Sequence, residues 1–482
     1  MNRITSTTTL FLLTVFVGFF VFFYVIHPLY PIDPDDFQFL SDFRVALPQP
    51  YLWNPTRVLP EILSPLCGYI AAYVIYPLTG NYYDSFAVVN ALVVSAFITI
   101  YANFFIELMK IKYRRTDVDA VILAFLFILL HFTALRVYPS GNQHLFYCGD
   151  VCCYYFYLIP NLIGACIVMS LMCNNWLKKN EFSYLQQGYI LLVLYLILCS
   201  NILCSILLVA YIFSNFIIEW FNTGQPNVRN YCLENKYSVL IMLLWGGVHL
   251  IEYTGGRAND LAVLNAESSV LKSISEIIQT FVHADLNKVF VFTFIIFIVI
   301  GLYRSIRHRV INDLSAKMLI ALSCVLFYYV VLCTKIGAHY IASGRCLFVI
   351  FFFVLMYMFE WINIVYEKHK RLSMVMPLMI LLIWSFTNTT QSTFRDVCFT
   401  HFKKGKYDLQ YLKSIREKNI QDIIEAVNEN KDSVILRVPH YPESNNNWPF
   451  VTWRYNDLEN MLHKHGMISK HIKGRIIIDE NL

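Results

Sequence analysis

Long apolar runs separated by short polar stretches fill the chain from residue 8 to about 390. A membrane-crossing helix needs about 20 mostly apolar residues. On that template crossings are predicted near 8–27, 85–109, 117–136, 154–173, 185–200, 202–221, 237–252, 287–303, 316–334, 346–364 and 373–390. The run at 185–221 reads as two short helices that turn near Ser200-Asn201. The run at 58–80 is also apolar, but Pro60, Pro65, Gly68 and Pro77 interrupt it. It is expected to lie in the membrane boundary or re-enter it rather than cross. From Gln391 the pattern changes. Leu409, Leu412, Ile415, Ile420, Ile423, Ile424 and Val427 recur at helical spacing. Residues 434–438 and 475–479 read as strands, and 457–465 as a helix closed by Gly466. The expected fold is a membrane all-α protein, a polytopic bundle of about 11 spans over 1–390 whose first outer loop is 28–84. A small periplasmic α/β C-terminal domain follows at 391–482.

Composition agrees with the pattern. The 482 residues are 57% hydrophobic and 15% charged, with mean hydropathy +0.51; soluble domains carry about 45–50% and about 25%. The net charge of +5 is spread out, with no basic block of the kind that binds nucleic acid. Basic clusters at 110–115, 178–179, 229–236, 304–309 and 368–371 fall in alternate loops. The positive-inside rule places them in the cytoplasm with the N-terminus, and the C-terminus outside. The first 27 residues hold one Arg and no small-residue cleavage pattern, so they read as an uncleaved span. Most of the thirteen cysteines lie in apolar runs as small hydrophobes. Cys148, Cys152, Cys153 and Cys398 fall outside, where a disulfide is possible but not assignable from sequence. No CxxC or Cys/His zinc spacing occurs.

Charge at the membrane centre is costly and marks function where it occurs. The predicted spans carry almost none at mid-depth, which argues against an ion-coupled transporter. Titratable residues gather instead at the outer boundary. The carboxylates there are Asp33, Asp35, Asp36, Glu61 and Glu252. The cations are Arg44, Arg57, Arg136, Arg257, Lys272, Lys335 and Arg345, with His144, His283 and His339. This mixture suits glycosyl transfer: an Asp takes the acceptor proton, and Arg and Lys hold a leaving lipid phosphate. Each feature also has a plainer reading. The acidic cluster could be a solvated turn or the cap of a helix from Phe37. Arg57 and Glu61 could pair along a helix surface, and Arg345 could reach to the headgroups. Gly255-Gly256 could belong to a simple loop or permit close approach to a ligand. The run Tyr154-Tyr155-Phe156-Tyr157 fits an interfacial aromatic belt. Trp448 and Trp453 could stack on sugars or pack in a core.

The loop Asp33-Pro34-Asp35-Asp36, the Arg57…Glu61 pair, the loop Glu252-Tyr253-Thr254-Gly255-Gly256-Arg257-Ala258 and the polar outer tail together resemble the GT-C glycosyltransferases. More narrowly they resemble the bacterial and phage-borne serotype-converting O-antigen glucosyltransferases of the glucosyl transferase II type. The resemblance covers nearly the whole chain in layout, through short motifs. It implies transfer of a glucosyl group, with inversion, from undecaprenyl-phosphate glucose to lipid-linked O-antigen on the periplasmic face of the inner membrane. Membrane lipids, a flippase and a donor-synthesising protein would be partners. In that scheme Asp35 or Asp36 is the general base with Asp33 beside it. Arg57, Arg257 and Arg345 lie near the donor phosphate, Glu61 and Glu252 orient those cations or the sugar, Lys335, His339 and Trp448 are further substrate-binding residues, and the tail grips the acceptor. Cofactor need is open: Asp35-Asp36 could hold a divalent metal, but no second ligand set is evident. Two other readings stand beside this one, an O-antigen polymerase or ligase acting on lipid-linked glycans, and a non-enzymatic lipid-sugar flippase.

Overall fold

The computed structural model describes residues 5–133, 146, 148, 150–178, 182–224, 227–264, 269–283, 288–308, 313–337, 341, 346–366, 369–388, 409–441 and 445–482. The described residues are mostly helical, 77%, with little sheet, as a membrane all-α protein should be. Each of the eleven predicted crossings falls on a helix: Ser6–Ile26, Tyr82–Ile111, Asp117–Thr133, Val151–Cys173, Tyr184–Leu198, Ile202–Thr223, Lys236–Tyr253, Lys288–His308, Asp313–Ile336, Phe348–Tyr366 and Lys370–Asn388. Among the described residues, seven helices are both long and apolar enough to cross a membrane, or eight if the bent pair at 236–263 is one span. Tyr184–Leu198 is apolar but short. One of the seven, Pro60–Thr79, is the run that the sequence reading keeps from crossing.

That helix forms despite its breakers for identifiable reasons. Pro60 sits in the first turn, where no N–H is needed. Pro65 is accommodated inside the helix, the next stretch Ala71–Ile75 loosens to a π turn, and Gly80 at φ 71 ends it. Gly68 is required by packing, since a Cβ there would lie 1.9 Å from the Leu40 carbonyl oxygen. The turn near Ser200-Asn201 is also real: Tyr184–Leu198 stops, and the Asn201 side chain caps Ile202–Thr223 by accepting from the Leu203 N–H at 2.9 Å.

Phe348–Tyr366 is buried along 348–363 and packs against Asp313–Ile336 and Lys370–Asn388, at the centre of the bundle. Its far end is tied by polar contacts: Tyr113 Oη donates to Glu360, and the Arg115 guanidinium donates to Asn363 Oδ1 at 2.8 Å. At that same end Lys110 pairs with Asp117 at 2.7 Å and Lys178 with Glu219 at 2.9 Å. The opposite end of the bundle carries the loop 28–59 and the C-terminal part, and is called the loop end below.

The C-terminal part follows the sequence pattern closely. Helix Leu409–Asn428 buries Leu412, Ile415, Ile420 and Ile423. Strands Ser433–Pro439 and Lys473–Asp479 pair in parallel, Ser433 opposite Lys473 and Pro439 opposite Asp479, with helix Tyr455–Lys464 between them. Parallel neighbours need such a crossover. Asn447 organises the intervening loop, its side chain accepting from the Tyr441 N–H at 2.6 Å and donating to the carbonyls of Pro439 and Phe450. The expected boundary at 391 lies outside the described residues.

Candidate functional site

The loop end contains two charged regions, and the sequence-derived candidates divide between them. The first is the acidic loop. Asp33 caps the short helix Pro34–Phe39, accepting from the Asp35 N–H at 2.8 Å, and Asp36 completes a capping box. Asp36 is 1% exposed. Its Oδ2 accepts from the N–H groups of Ile32 and Asp33, both at 3.1 Å, and its Oδ1 from the Cys152 N–H at 2.8 Å. Burial, with the nearby Asp33 charge, pushes the Asp36 carboxyl upwards against the pull of those donors. Asp33 is raised for the same leading reason, and it also accepts from Trp448 Nε1. Asp35 points the other way, half exposed, and pairs with Arg454, which also holds Asp457 at 2.9 Å. Asp35 and Asp36 therefore do not converge on a shared ion.

Among the described residues, the side-chain hydrogen bonds of the three aspartates that leave residues 32–36 go to Cys152, Trp448 and Arg454. Arg416, on the buried face of Leu409–Asn428, lies between the rings of Phe37 and Phe450, 4.9 and 4.4 Å from their centroids. It donates to the carbonyls of Ile32 and Pro449, each at 2.9 Å. Desolvation brings its pKa down to about 10, with Asp33 and Asp36 opposing the fall. Around this centre Lys464 pairs with Asp42, and Lys413 with Asp84 at 2.5 Å. Trp448, a predicted substrate-binding residue, takes part in this junction through its bond to Asp33, while Trp453 is 63% exposed.

The second region is a cleft that opens to solvent. Arg57, Asn201, His249, Glu252, Arg257 and Lys335 supply its polar lining, with Leu203, Leu261 and Leu332 among the apolar walls. Four of the predicted binding residues, Arg57, Glu252, Arg257 and Lys335, meet here from three separate stretches of chain. Each is positioned by a specific contact. The Glu252 Oε2 accepts from Thr56 Oγ1 at 2.6 Å and from its N–H at 3.3 Å, drawing Lys236–Tyr253 to the first loop. The N–H groups of Gly256 and Arg257 donate to the carbonyls of Leu52 and Trp53, both at 3.0 Å. A Cβ on Gly255 would lie 2.7 Å from the Pro55 ring, so this glycine serves close approach of the chain to itself rather than to a ligand. The Arg257 guanidinium lies 5.2 Å from the Trp53 ring centroid, and Trp53 Nε1 donates to Asp260 at 3.1 Å. Lys335 Nζ sits 3.4 Å from the Tyr253 ring centroid and donates to the Tyr253 carbonyl at 2.6 Å. Arg57 lies over the Phe156 ring at 4.7 Å.

Glu61 departs from expectation. Its ion-pair partner is Arg44 at 3.0 Å, not Arg57, because Arg44 folds inward to the carbonyls of Asn54 and Pro55. Phe156, expected in an aromatic belt, is buried and joins the two regions: Phe39 packs on it at 4.5 Å while Arg57 covers it. Arg136, His144, His339 and Arg345 lie outside the described residues, as does the side chain of His283; Lys272 is on Val270–His283 and is not part of the cleft lining.

Sequence reasoning placed His249 only near a helix end. Here its Nδ1 meets Tyr328 Oη at 3.1 Å and its ring faces the cleft beside Glu252. Arg416 was missed altogether, although a guanidinium four residues from both Leu412 and Ile420 on an apolar stripe is a visible signal. No family model matches the chain, and no curated protein matches it in sequence.

Proposed function

We propose that the protein is a membrane-embedded glycosyltransferase. It moves a glucosyl group from undecaprenyl-phosphate glucose to lipid-linked O-antigen, at the periplasmic face of the bacterial inner membrane. The observation that carries this reading is the cleft, where three cations and one carboxylate converge at one end of a bundle of apolar helices. The acceptor oxygen bonds to the anomeric carbon as the bond from that carbon to the phosphate oxygen breaks, and the electron pair leaves with the phosphate. Arg57, Arg257 and Lys335 are placed to take up that charge, in a setting where fixed cations act more strongly than in water. The acceptor proton goes to a carboxylate. Asp36 has three backbone donors and no face toward the cleft, so the role falls to Glu252 in the cleft, with Asp35 as the acidic-loop competitor.

In the accompanying topology the helices cross eleven times, with the N-terminus cytoplasmic and the C-terminal part periplasmic. Pro60–Thr79 then lies along the boundary. In support, Tyr73 Oη donates to the Lys464 carbonyl at 3.1 Å and Tyr69 packs on His465 at 5.0 Å. A crossing helix would hold those polar segments at mid-depth, which the bilayer penalises.

The test is transfer by purified protein from a polyprenyl-phosphate glucose donor. Arg57→Ala and Arg257→Ala are each expected to lower turnover by about 10²–10³-fold, and Glu252→Gln to lower it at least as much. Full activity of Glu252→Gln with loss in Asp35→Asn would move the base to the acidic loop. Turnover only with an oligosaccharyl pyrophosphate donor would make the protein a polymerase or ligase. Movement of lipid-linked sugar with no new glycosidic bond would make it a transporter.

A further inference from the structure

Beside the acidic loop, the segment entering helix Val151–Cys173 brings two thiols and a carboxylate together. The Sγ atoms of Cys148 and Cys153 and a carboxylate oxygen of Asp150 all lie within 4.8 Å of one another, and Cys153 Sγ is 3.8 Å from Asp150 Oδ2. Both cysteines are buried, at 1% and 2% exposure. Among the described residues this is the one such trio of ligand side chains.

The backbone around the trio is held from several sides without any ligand. The Cys148 carbonyl accepts from His27 Nε2 and from Tyr154 Oη, each at 2.9 Å. The Cys153 N–H donates to the Asp150 carbonyl at 3.1 Å, and the Cys152 N–H to Asp36. The backbone that carries the ligands is thus held by His27 just past the first helix, by the acidic loop and by the segment itself, an arrangement suited to a site formed in advance of its ligand.

We propose that Cys148, Asp150 and Cys153 bind one thiophilic divalent cation of the zinc class. Zinc bonds thiolate sulfur at about 2.3 Å and carboxylate oxygen at about 2.0–2.2 Å, so tetrahedral ligand atoms stand roughly 3.5–3.8 Å apart. The separation of Cys153 and Asp150 matches that spacing. Two sulfurs select against magnesium and calcium, which take oxygen ligands. The Cys153 thiol donates to Asp150 Oδ2, and a bound cation would take the place of the protons that the thiols lose. Three protein ligands leave a fourth position for water or a further donor. Because Cys152 bonds Asp36, the ion would pin this segment under the acidic loop.

The experiment uses the full chain, purified with its tag removed and without chelator. Elemental analysis is expected to find about one zinc per chain, as the single site requires. Cys148→Ser and Cys153→Ser should lose it, and Cys232→Ser, at a distant half-buried cysteine, should keep it. Cobalt exchanged into the wild-type protein should give a thiolate charge-transfer band that needs no variant to interpret. Absence of both zinc and the cobalt band overturns the proposal. So does an intact mass lower by two hydrogens with a peptide linking Cys148 to Cys153, which would make the pair a disulfide. Retention of zinc in both cysteine variants overturns it as well.

Discussion

The acidic loop and the cleft sit at the same end of the molecule and share Phe156, yet they spend their charges differently. In the acidic loop the carboxylates are taken up by the chain: Asp36 by backbone N–H groups, Asp33 by Trp448, and Asp35 by Arg454. In the cleft the side chains are also anchored, but around a cavity with an open mouth. Charge density alone does not separate the two. What separates them is that the C-terminal part covers the acidic loop, whereas the charged side chains of the cleft surround open space. Arg416, Lys413, Arg454 and Lys464 meet the acidic loop and its neighbours, so that loop is a seat for the C-terminal part.

The largest expected effect follows from Arg416. Its removal strips a buried cation from between Phe37 and Phe450 and leaves the carbonyls of Ile32 and Pro449 without donors. Each buried carbonyl left without its donor costs about 1–3 kcal/mol. Arg416→Met should therefore release the C-terminal part, read as rapid proteolysis after residue 391 and a lowered unfolding temperature. An intact, protease-resistant Arg416→Met protein would dissolve the distinction between seat and cleft.

Next comes Asp36→Asn. The amide keeps one acceptor oxygen but presents an NH₂ to a set of N–H donors, and an unsatisfied buried group costs about 1–3 kcal/mol. The expected result is lowered thermal stability, with turnover per folded molecule retained. Loss of turnover in protein of unchanged stability would instead put Asp36 in the chemistry.

These outcomes bear on what the sequence made legible. Helix positions, the turn at Ser200-Asn201 and both C-terminal strands could be read because apolar periodicity is a local property of the chain. The cleft was half legible: Arg57, Glu252, Arg257 and Lys335 carry charge at predicted helix ends, where charge is conspicuous. Their grouping was not, because it depends on which helices are neighbours. The role of the acidic loop was least legible. Three aspartates near a membrane boundary have the same signature whether they face a substrate or a second part of the chain, and only Arg416 on its apolar stripe hinted at the second. Length and hydropathy likewise left Pro60–Thr79 open, since a helix lying in the boundary needs the same residues as one that crosses it.

A smaller effect should appear with pH. His465 sits at the seat, its Nδ1 accepting from Tyr82 Oη at 2.7 Å and its Nε2–H donating to the Leu40 carbonyl at 3.2 Å. Burial holds its pKa down to about 4, against 6.5 when unfolded. The docked form therefore binds the proton less readily than the released form. Its contribution is intact above the unfolded value and is lost as pH falls from 6.5 toward 4. Each pKa unit is about 1.4 kcal/mol, so proteolytic release of the C-terminal part should grow steeply across that window. His465→Gln, which cannot take up the proton, should flatten the growth.

The smallest effect is expected at Asp35, and it sharpens the comparison most. Asp35 and Arg454 are both partly exposed, with side-chain exposures of 49% and 30%. Exposed ion pairs contribute about 0–1 kcal/mol. If the acidic loop is only a seat, Asp35→Asn should shift the unfolding temperature by no more than a degree or two per few tenths of a kcal/mol and leave turnover near that of the wild type. Salt should abolish even that difference, because screening weakens an exposed pair. A large loss of transfer with stability unchanged would mean that the one carboxylate of the loop not buried by the chain serves the reaction. The two regions would then be one site, bridged across Phe156 when the C-terminal part lifts Arg454 away.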